Sequence, residues 1–236
     1  MTAPARHIEV RGPTVSIAGE SATVDRRGAL FFAAARLLVV SDLHLEKGSS
    51  FARHGMLIPP YDSAATLALL AGVIAEHDPA IVISLGDSFH DGQGAERLHA
   101  SFRTHLEALM AGRQWFWIAG NHDPDMPANL PGETVRELGL CGLVFRHEPS
   151  RGAAPGEVAG HLHPCARIVQ RGRSVRRRCF ASDGSRLIMP AFGAYTGSLN
   201  VLDPAYAGLF KRDGLMAYMM GADRVFPIAG SMLRPG

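Results

Sequence analysis

The chain has 236 residues, 47% hydrophobic and 19% charged, which supplies apolar mass for one sizeable α/β core and too little length for two. A formal net charge of +2 excludes a strongly basic surface inferred from the sum alone, so any grip on a polyanion depends on where the charges sit. The longest apolar stretch, residues 29–40, is broken by Arg36 and falls well short of the ~20 residues of a membrane-spanning helix.

Residues 8–40 alternate apolar and polar character between Gly12, Gly19 and Gly28, and read as two or three strands joined by tight turns. Residues 37–40 are continuously apolar and run into Ser41-Asp42, a buried strand delivering polar groups at its C-terminal end. Residues 62–77 predict a helix capped by Asp62 or Ser63, with Leu67, Leu70, Ala71 and Ile74 on its apolar face and Asp78-Pro79 ending it. A strand at 81–85 leads to Gly86-Asp87. A second amphipathic helix at 94–111 carries Leu98, Phe102, Leu106 and Leu109, and a strand at 115–119 leads to Gly120-Asn121. This is a parallel strand–helix–strand–helix–strand unit. Beyond about residue 140 the pattern becomes short strands at 143–146, 157–159, 166–170, 174–180, 186–189 and 197–202, a mostly antiparallel sheet; 125–132 and 151–156 read as loops. The whole of residues 1–236 is expected to form one domain.

The chemistry sits just after the apolar runs: Asp42-x-His44, Gly86-Asp87, Gly120-Asn121-His122-Asp123, a lone His147, and Gly160-His161-x-His163. Two ligands two residues apart leave a strand end on the same side and reach one ion. A carboxylate after a turning glycine can offer its two oxygens to two cations, and Asn121 offers a neutral amide oxygen. Acids and imidazoles at successive strand ends predict one composite site for two metal ions, an arrangement suited to phosphoester cleavage. Mixed nitrogen and oxygen ligands suit Mn2+, Fe or Zn2+.

Other residues allow a functional and a plain reading. Arg167, Arg171, Arg173, Arg176, Arg177 and Arg178 cluster around a hairpin just past His163: a phosphate-gripping edge for DNA, or a solvated strand face. Arg53 and His54, with Lys47, either meet substrate or pin their loop. His7, His77, His99 and His105 read as unremarkable; Trp115, Phe116 and Trp117 as packing on both faces of a strand; Cys165 as a buried filler; Met216, Met219 and Met220 as core or edge packing. Cys141, Cys165 and Cys179 show no CxxC spacing, and Met1 to Val10 hold no apolar signal core, so a cytoplasmic location and no membrane association are expected.

The ordered set of blocks resembles the calcineurin-like metallophosphoesterases. That resemblance implies a four-layer α/β/β/α sandwich of two mixed sheets, with the blocks meeting at one end. It implies one metal held by Asp42, His44, Asp87 and His163 and a second by Asp87, Asn121, His147 and His161. A hydroxide bridging the ions would attack phosphorus while Asn121 and the metals neutralise the developing charge. His122 would contact the phosphate or protonate the leaving oxygen. In the protein Ser/Thr phosphatase branch, an Asp stands three residues after the bridging one; here it is His90, and that branch's Arg motifs are missing. The Gly-Asp-x-Phe-His string occurs instead in double-strand-break repair nucleases of the superfamily. This leans towards a phosphodiesterase, with His90 facing phosphate or leaving group.

A closer resemblance rests on Ser41-Asp42-Leu43-His44-Leu45-Glu46-Lys47-Gly48, Arg53-His54-Gly55, Ile58-Pro59-Pro60-Tyr61-Asp62, Phe145-Arg146-His147-Glu148-Pro149, Gly160-His161-Leu162-His163-Pro164 and Pro190-Ala191-Phe192-Gly193-Ala194-Tyr195-Thr196-Gly197. Together these are similar to the ligase-associated DNA-damage-response endonuclease family (PdeM type). The resemblance implies a manganese-dependent phosphodiesterase with DNA endonuclease activity, acting in DNA repair, and a ligase, helicase and exonuclease as associates. Fe, Zn2+ or Mg2+ are the alternative metals. The rival substrates are small molecules: a cyclic nucleotide, a nucleotide–lipid pyrophosphate or a phosphomonoester. A catalytically silent scaffold that binds partner proteins is the rival class, but such scaffolds typically lose ligands and every ligand position here is filled.

Overall fold

The computed structural model describes residues 12–53, 55, 61–124 and 130–236; His7, His54 and the Ile58-Pro59-Pro60 string lie outside the described residues. The first sheet has seven strands in sequence order: β1 (Thr14–Ile17), β2 (Glu20–Val24), β3 (Leu30–Phe32), β4 (Leu37–Val40), β5 (Ile81–Leu85), β6 (Gln114–Ile118) and β7 (Glu133–Val135). β1 to β4 pair antiparallel and β4 to β7 pair parallel, with helical crossovers between β4 and β5 and between β5 and β6. The crossovers hold α1 (Lys47–Arg53), α2 (Asp62–His77), α3 (Gly94–Arg97) and α4 (Ala100–Met110). Val40 pairs with Ser84 and Leu85 with Ile118, so β4, β5 and β6 end side by side and release their chains at one edge.

The second sheet comprises β8 (Glu137–Leu140), β9 (Leu143–Arg146), β10 (Glu157–Ala159), β11 (Pro164–Gln170), β12 (Arg173–Ser182), β13 (Leu187–Ile188), β14 (Leu199–Asn200), β15 (Met216–Met220) and β16 (Val225–Ala229). Its order is β14-β11-β12-β13-β10-β9-β8, with β15 on β12 and β16 outside it. It is mixed: β9, β10 and β13 run parallel, as do β11 and β14, while the remaining pairs are antiparallel.

Period-two alternation in the first sheet builds two cores. Leu38, Val40, Val82, Trp115 and Trp117 face α2 and α4 through Leu67, Leu70, Val73, Leu106 and Met110. Leu37, Val39, Ile83, Leu85, Phe116 and Ile118 face the second sheet through Leu143, Phe145, Val158, Phe180, Leu187 and Met189. Each large side chain so buried contributes about 1.5–3 kcal/mol. Trp115 and Trp117 thus lie opposite Phe116, as strand alternation requires. The outer face of the second sheet, with Cys179, Ala181, Ala217 and Met219, is covered by Val201, Tyr206, Leu209 and Leu233. Among the described residues this fourth layer is thin, its helices being single 3-10 turns such as Pro204–Tyr206.

Several local expectations are corrected. Neither Asp62 nor Ser63 caps α2; Tyr61 stands at the cap without a side-chain bond. Asp62 Oδ2 instead accepts from the Gly48 N–H at 3.0 Å and Ser63 Oγ donates to Glu46 Oε1 at 2.9 Å, so tertiary partners take both groups and hold the start of α1. On the buried face Val73 replaces Ala71, which is half-buried. The helix expected at 94–111 is broken at Leu98 (ψ 117°), where His99 becomes the cap of α4. Arg97, at the end of α3, is drawn to Asp91 by bonds of 2.9 and 2.7 Å. His77 is not incidental: it is buried, with Nε2 3.0 Å from Asp25 Oδ2. His99 and His105 are exposed, and Cys165 is buried.

Candidate metal centre

The loops after β4 and β5 are laced together. The Asp42 N–H donates to the Gly86 carbonyl at 3.2 Å, and the His44 N–H to the Asp87 carbonyl at 2.9 Å. The second sheet adds its loops because glycines let them approach: a Cβ at Gly160 would collide with Ser41 Oγ and Asp42 Oδ2, and one at Gly86 with the His147 ring. Asp42, His44, Asp87, His161 and His163 all take left-handed backbone, with φ between 43° and 68°. Each such residue costs on the order of 1–3 kcal/mol, which the surrounding lattice of bonds must hold in place.

Two ligand triads result, each with its ligating atoms within 4.8 Å of one another. In the first, Asp42, His44 and His163, the Asp42 Oδ2 accepts from Ser41 Oγ at 2.5 Å and from the His161 N–H at 3.1 Å. Asp42 Oδ1, His44 Nε2 and His163 Nε2 are buried and make no well-aligned hydrogen bond among the described residues, although His163 Nε2 and Asp42 Oδ1 face each other at 3.1 Å. Three converging bare atoms are costly in a protein interior unless a ligand completes them. In the second, Asp87, His147 and His161, the His147 Nδ1–H donates to the Leu85 carbonyl at 2.9 Å, which fixes the ring. Its Nε2 then faces Asn121 Oδ1 at 2.8 Å, His161 Nδ1 at 3.1 Å and Asp87 Oδ2 at 3.4 Å.

The electrostatics ask for positive charge. Burial alone would lower the His147 pKa, but Asp87 and Asp42 outweigh it and raise the imidazole to about 9. The potential that draws a proton to Nε2 draws a cation equally well. Burial alone would raise the Asp42 and Asp87 carboxyls; the close approach and charge of the His163 and His147 imidazoles respectively hold them below the usual range. Burial pushes His44 down to about 4, so it stays neutral, as an imidazole ligand must be. Ionised carboxylates, neutral imidazole and an amide oxygen with bare atoms converging fit two divalent cations.

Asp87 Oδ2 lies where the sets meet, 3.9 Å from His44 Nε2, 3.4 Å from His147 Nε2 and 4.0 Å from His122 Nε2. His122 is held beside the triads: its N–H donates to Asp87 Oδ1 at 2.9 Å and its Nδ1–H to the His90 carbonyl at 3.0 Å. The His122 and His90 rings stack at 5.4 Å, and Phe51 stacks on His90 at 5.5 Å. His90 therefore orients His122 through its carbonyl and ring face. Asp123, given no role by its place in the motif, is buried and accepts from the Gly120 N–H at 3.2 Å and the Phe89 N–H at 3.0 Å. Burial, with Asp87 adding to it, raises its carboxyl to about 6. It ties the loops carrying Asn121 and His90 together, and the signal for it was the last letter of Gly120-Asn121-His122-Asp123.

The arginines do not converge. Arg53 Nη1 donates to Gln93 Oε1 at 2.6 Å, pinning the end of α1. Arg176 and Arg177, adjacent on β12, point to opposite faces of the sheet. Arg176 Nη2 donates to the Ser198 carbonyl at 2.7 Å, whereas Arg177 shares its face with Cys179. Arg178 is used internally: Nη1 donates to the carbonyls of Ala191 at 2.8 Å and Gly193 at 3.0 Å. The Gly193 N–H in turn donates to the Asp42 carbonyl at 3.1 Å, so Arg178 braces the loop that braces a candidate ligand.

Two mixed sheets meeting at paired acid–imidazole triads define a class, the metal-dependent phosphoesterases. The family model for calcineurin-like phosphoesterases matches residues 35–177, and this chain belongs to that family. Among solved structures it is similar to the Pseudomonas putida nuclease MPE, at 30% identity and a TM-score of 0.70, covering 92% of this chain and 99% of that one. It also aligns with Yfce, a phosphoesterase from E. coli, at 15% identity and a TM-score of 0.39, covering 82% of this chain and 98% of that one. Among curated proteins no relative matches the chain. No described helix is long and apolar enough to cross a membrane.

Proposed function

We propose that this protein is a two-metal phosphodiesterase that cuts DNA. The observation that carries the reading is the convergence of the two triads on Asp87 Oδ2, with 3.9 Å to His44 Nε2 on one side and 3.4 Å to His147 Nε2 on the other. Asp42, His44, Asp87 and His163 would hold one ion and Asp87, Asn121, His147 and His161 the other; Mn2+ is the favoured metal. Bound there, divalent ions supply an activated water and neutralise charge on a phosphoryl group.

The chain's own residues supply the rest. His122, its Nδ1–H committed to the His90 carbonyl, presents Nε2 to the same space as Asp87 Oδ2, where it can hold a proton for a leaving oxygen. Asn121 offers its amide to a phosphoryl oxygen. Asp42, shielded from water and held by Ser41 and the His161 N–H, stays ionised while the site turns over. Of the hairpin arginines, Arg176 is on the side of the sheet that Arg178 uses to reach the Asp42 loop, and it is the better placed for a phosphate backbone; Arg53, His54 and Arg177 remain secondary candidates for substrate contact.

DNA as substrate is supported by the nuclease relative and by the family resemblance of the 41–62 and 190–197 strings, which also supports a repair role. Three free cysteines fit a cytoplasmic location. The test is an activity matrix of metals (Mn2+, Fe2+, Zn2+, Mg2+) against substrates (DNA, cyclic nucleotide, nucleotide–lipid pyrophosphate, phosphomonoester), run on purified protein. Metal-dependent DNA nicking is expected; hydrolysis confined to a small ester would overturn the DNA assignment.

A further inference from the structure

On the loop whose Gly193 bonds to the Asp42 main chain, a large aromatic side chain is turned to solvent: Tyr195, 54% exposed. Its ring has no stacking, hydrogen-bond or ion-pair partner among the described residues, although its backbone is held firmly. The Lys47 ammonium donates to the Tyr195 carbonyl at 2.8 Å. Next to it, the Ala194 N–H donates to Thr66 Oγ1 at 3.1 Å, and Thr196 Oγ1 donates to the Gly193 carbonyl at 3.0 Å. Arg176 reaches the same loop at the Ser198 carbonyl.

Two separate chains of contact lead from this loop to the centre. Gly193, two residues before Tyr195, donates its N–H to the Asp42 carbonyl at 3.1 Å. Lys47 reaches the other way: its ammonium lies 5.7 Å from the Phe51 ring centroid, and Phe51 stacks on His90, which stacks on His122. An exposed phenol on a loop stapled at both sides, two residues from the glycine that bonds to the Asp42 carbonyl, is a rigid platform that loses little entropy on binding. Aromatic platforms beside cationic groups take up unstacked nucleobases, while the cations meet the flanking phosphates. Lys47 keeps further donors after its bond to the carbonyl, as an ammonium has three.

We infer that Tyr195 is a specificity-determining residue that stacks on a nucleobase next to the scissile phosphodiester, with Lys47 and Arg176 facing the adjoining phosphates. This rests on the DNA reading and deepens it, because a ring can stack only on a base already free of its neighbours.

The experiment is a double-mutant cycle on binding. Metal-loaded protein is titrated with a fluorescently labelled single-stranded oligonucleotide containing a phosphorothioate at a mapped cleavage position. A matched set lacks one base at successive positions on either side. At one position, loss of the base is expected to weaken binding to the wild type about tenfold. Tyr195→Ala should weaken binding to the complete oligonucleotide by the same factor and show no further loss with the abasic one. Tyr195→Phe should behave as the wild type, since stacking needs the ring and not the hydroxyl. Equal abasic penalties in wild type and Tyr195→Ala, or none at any position, would overturn the inference while leaving the DNA reading standing. Failure of the wild type to bind the complete oligonucleotide at all overturns both.

Discussion

At the C-terminal end of α2, Asp25, Glu76 and His77 bring their ligating atoms within 4.8 Å of one another, just as each triad of the metal centre does. In composition the two regions are alike. They differ in counter-charge. Beside Asp25 the fold supplies its own cation: Arg27 donates to Asp25 Oδ1 at 2.9 Å and Oδ2 at 2.5 Å and to Glu76 Oε2 at 2.6 Å. His77 Nε2 closes on Asp25 Oδ2 at 3.0 Å. The one bare atom of that histidine, Nδ1, belongs to a ring packed 4.5 Å from Phe31. At the metal centre no described Arg or Lys enters the triads, and bare atoms from three residues converge. A cluster that carries its own cation is a structural joint; one that lacks it is a candidate to receive one.

Four experiments separate the two regions. The largest effect is expected from Asp87→Ala, which removes the shared oxygen: DNA hydrolysis should disappear and metal content, read by elemental analysis, should fall for both ions together. An active variant that retains both ions would refute the bridging role. His122→Ala should slow turnover by about 100- to 10,000-fold, the range of a lost general acid, with metal content unchanged. Loss of metal in that variant would make His122 a ligand instead.

Asp25→Ala should cost roughly 3–5 kcal/mol of unfolding free energy, because it strands Arg27 and His77. Turnover per folded molecule should stay as in the wild type. The pH dependence has a definite sign. Burial alone would raise the Asp25 carboxyl, but hydrogen bonds from Arg27 and His77 outweigh it and hold it well below the usual carboxylate range. A depressed folded value means that its contribution is complete above about pH 4 and is lost as the pH falls further. Acid unfolding curves of Asp25→Ala should therefore be flatter than the wild type's in that range. Smallest is the shift on metal binding. Mn2+ at a hundredfold excess over its dissociation constant should raise stability by about 2.7 kcal/mol per site, equally in wild type and Asp25→Ala. A smaller increment in the variant would mean that the Asp25 cluster also binds metal.

The sequence revealed the two sites unequally. The ligand blocks were legible because each follows an apolar run, and the β4, β5 and β6 registers turn those ends into neighbours. The ends of α2 were legible from Asp62 to the Asp78-Pro79 stop, although its cap was not, since Asp62 and Ser63 bond to residues outside the helix. Asp25 and His77 are 52 residues apart with no motif linking them, so only the folded chain reveals their pairing. Arg178 likewise looked like its neighbours until its carbonyl partners were seen. α1 escaped notice because Gly48, Ser49 and Ser50 give it no apolar period, and β16 because Pro227 interrupts it; an outer strand paired only with β15 tolerates that proline.

The left-handed backbone of Asp42, His44, Asp87, His161 and His163 limits the alphabet of this pocket twice over. Aspartate and histidine, with asparagine, are the non-glycine residues that enter this conformation most readily. They are also short, oxygen- or nitrogen-bearing ligands. Glutamate and cysteine could coordinate a cation but enter this backbone less readily, although Glu46 (φ 64°) and Cys141 (φ 53°) do so elsewhere in the chain. A redesign that changes metal preference by changing ligand type therefore carries an added backbone cost at each of these five positions.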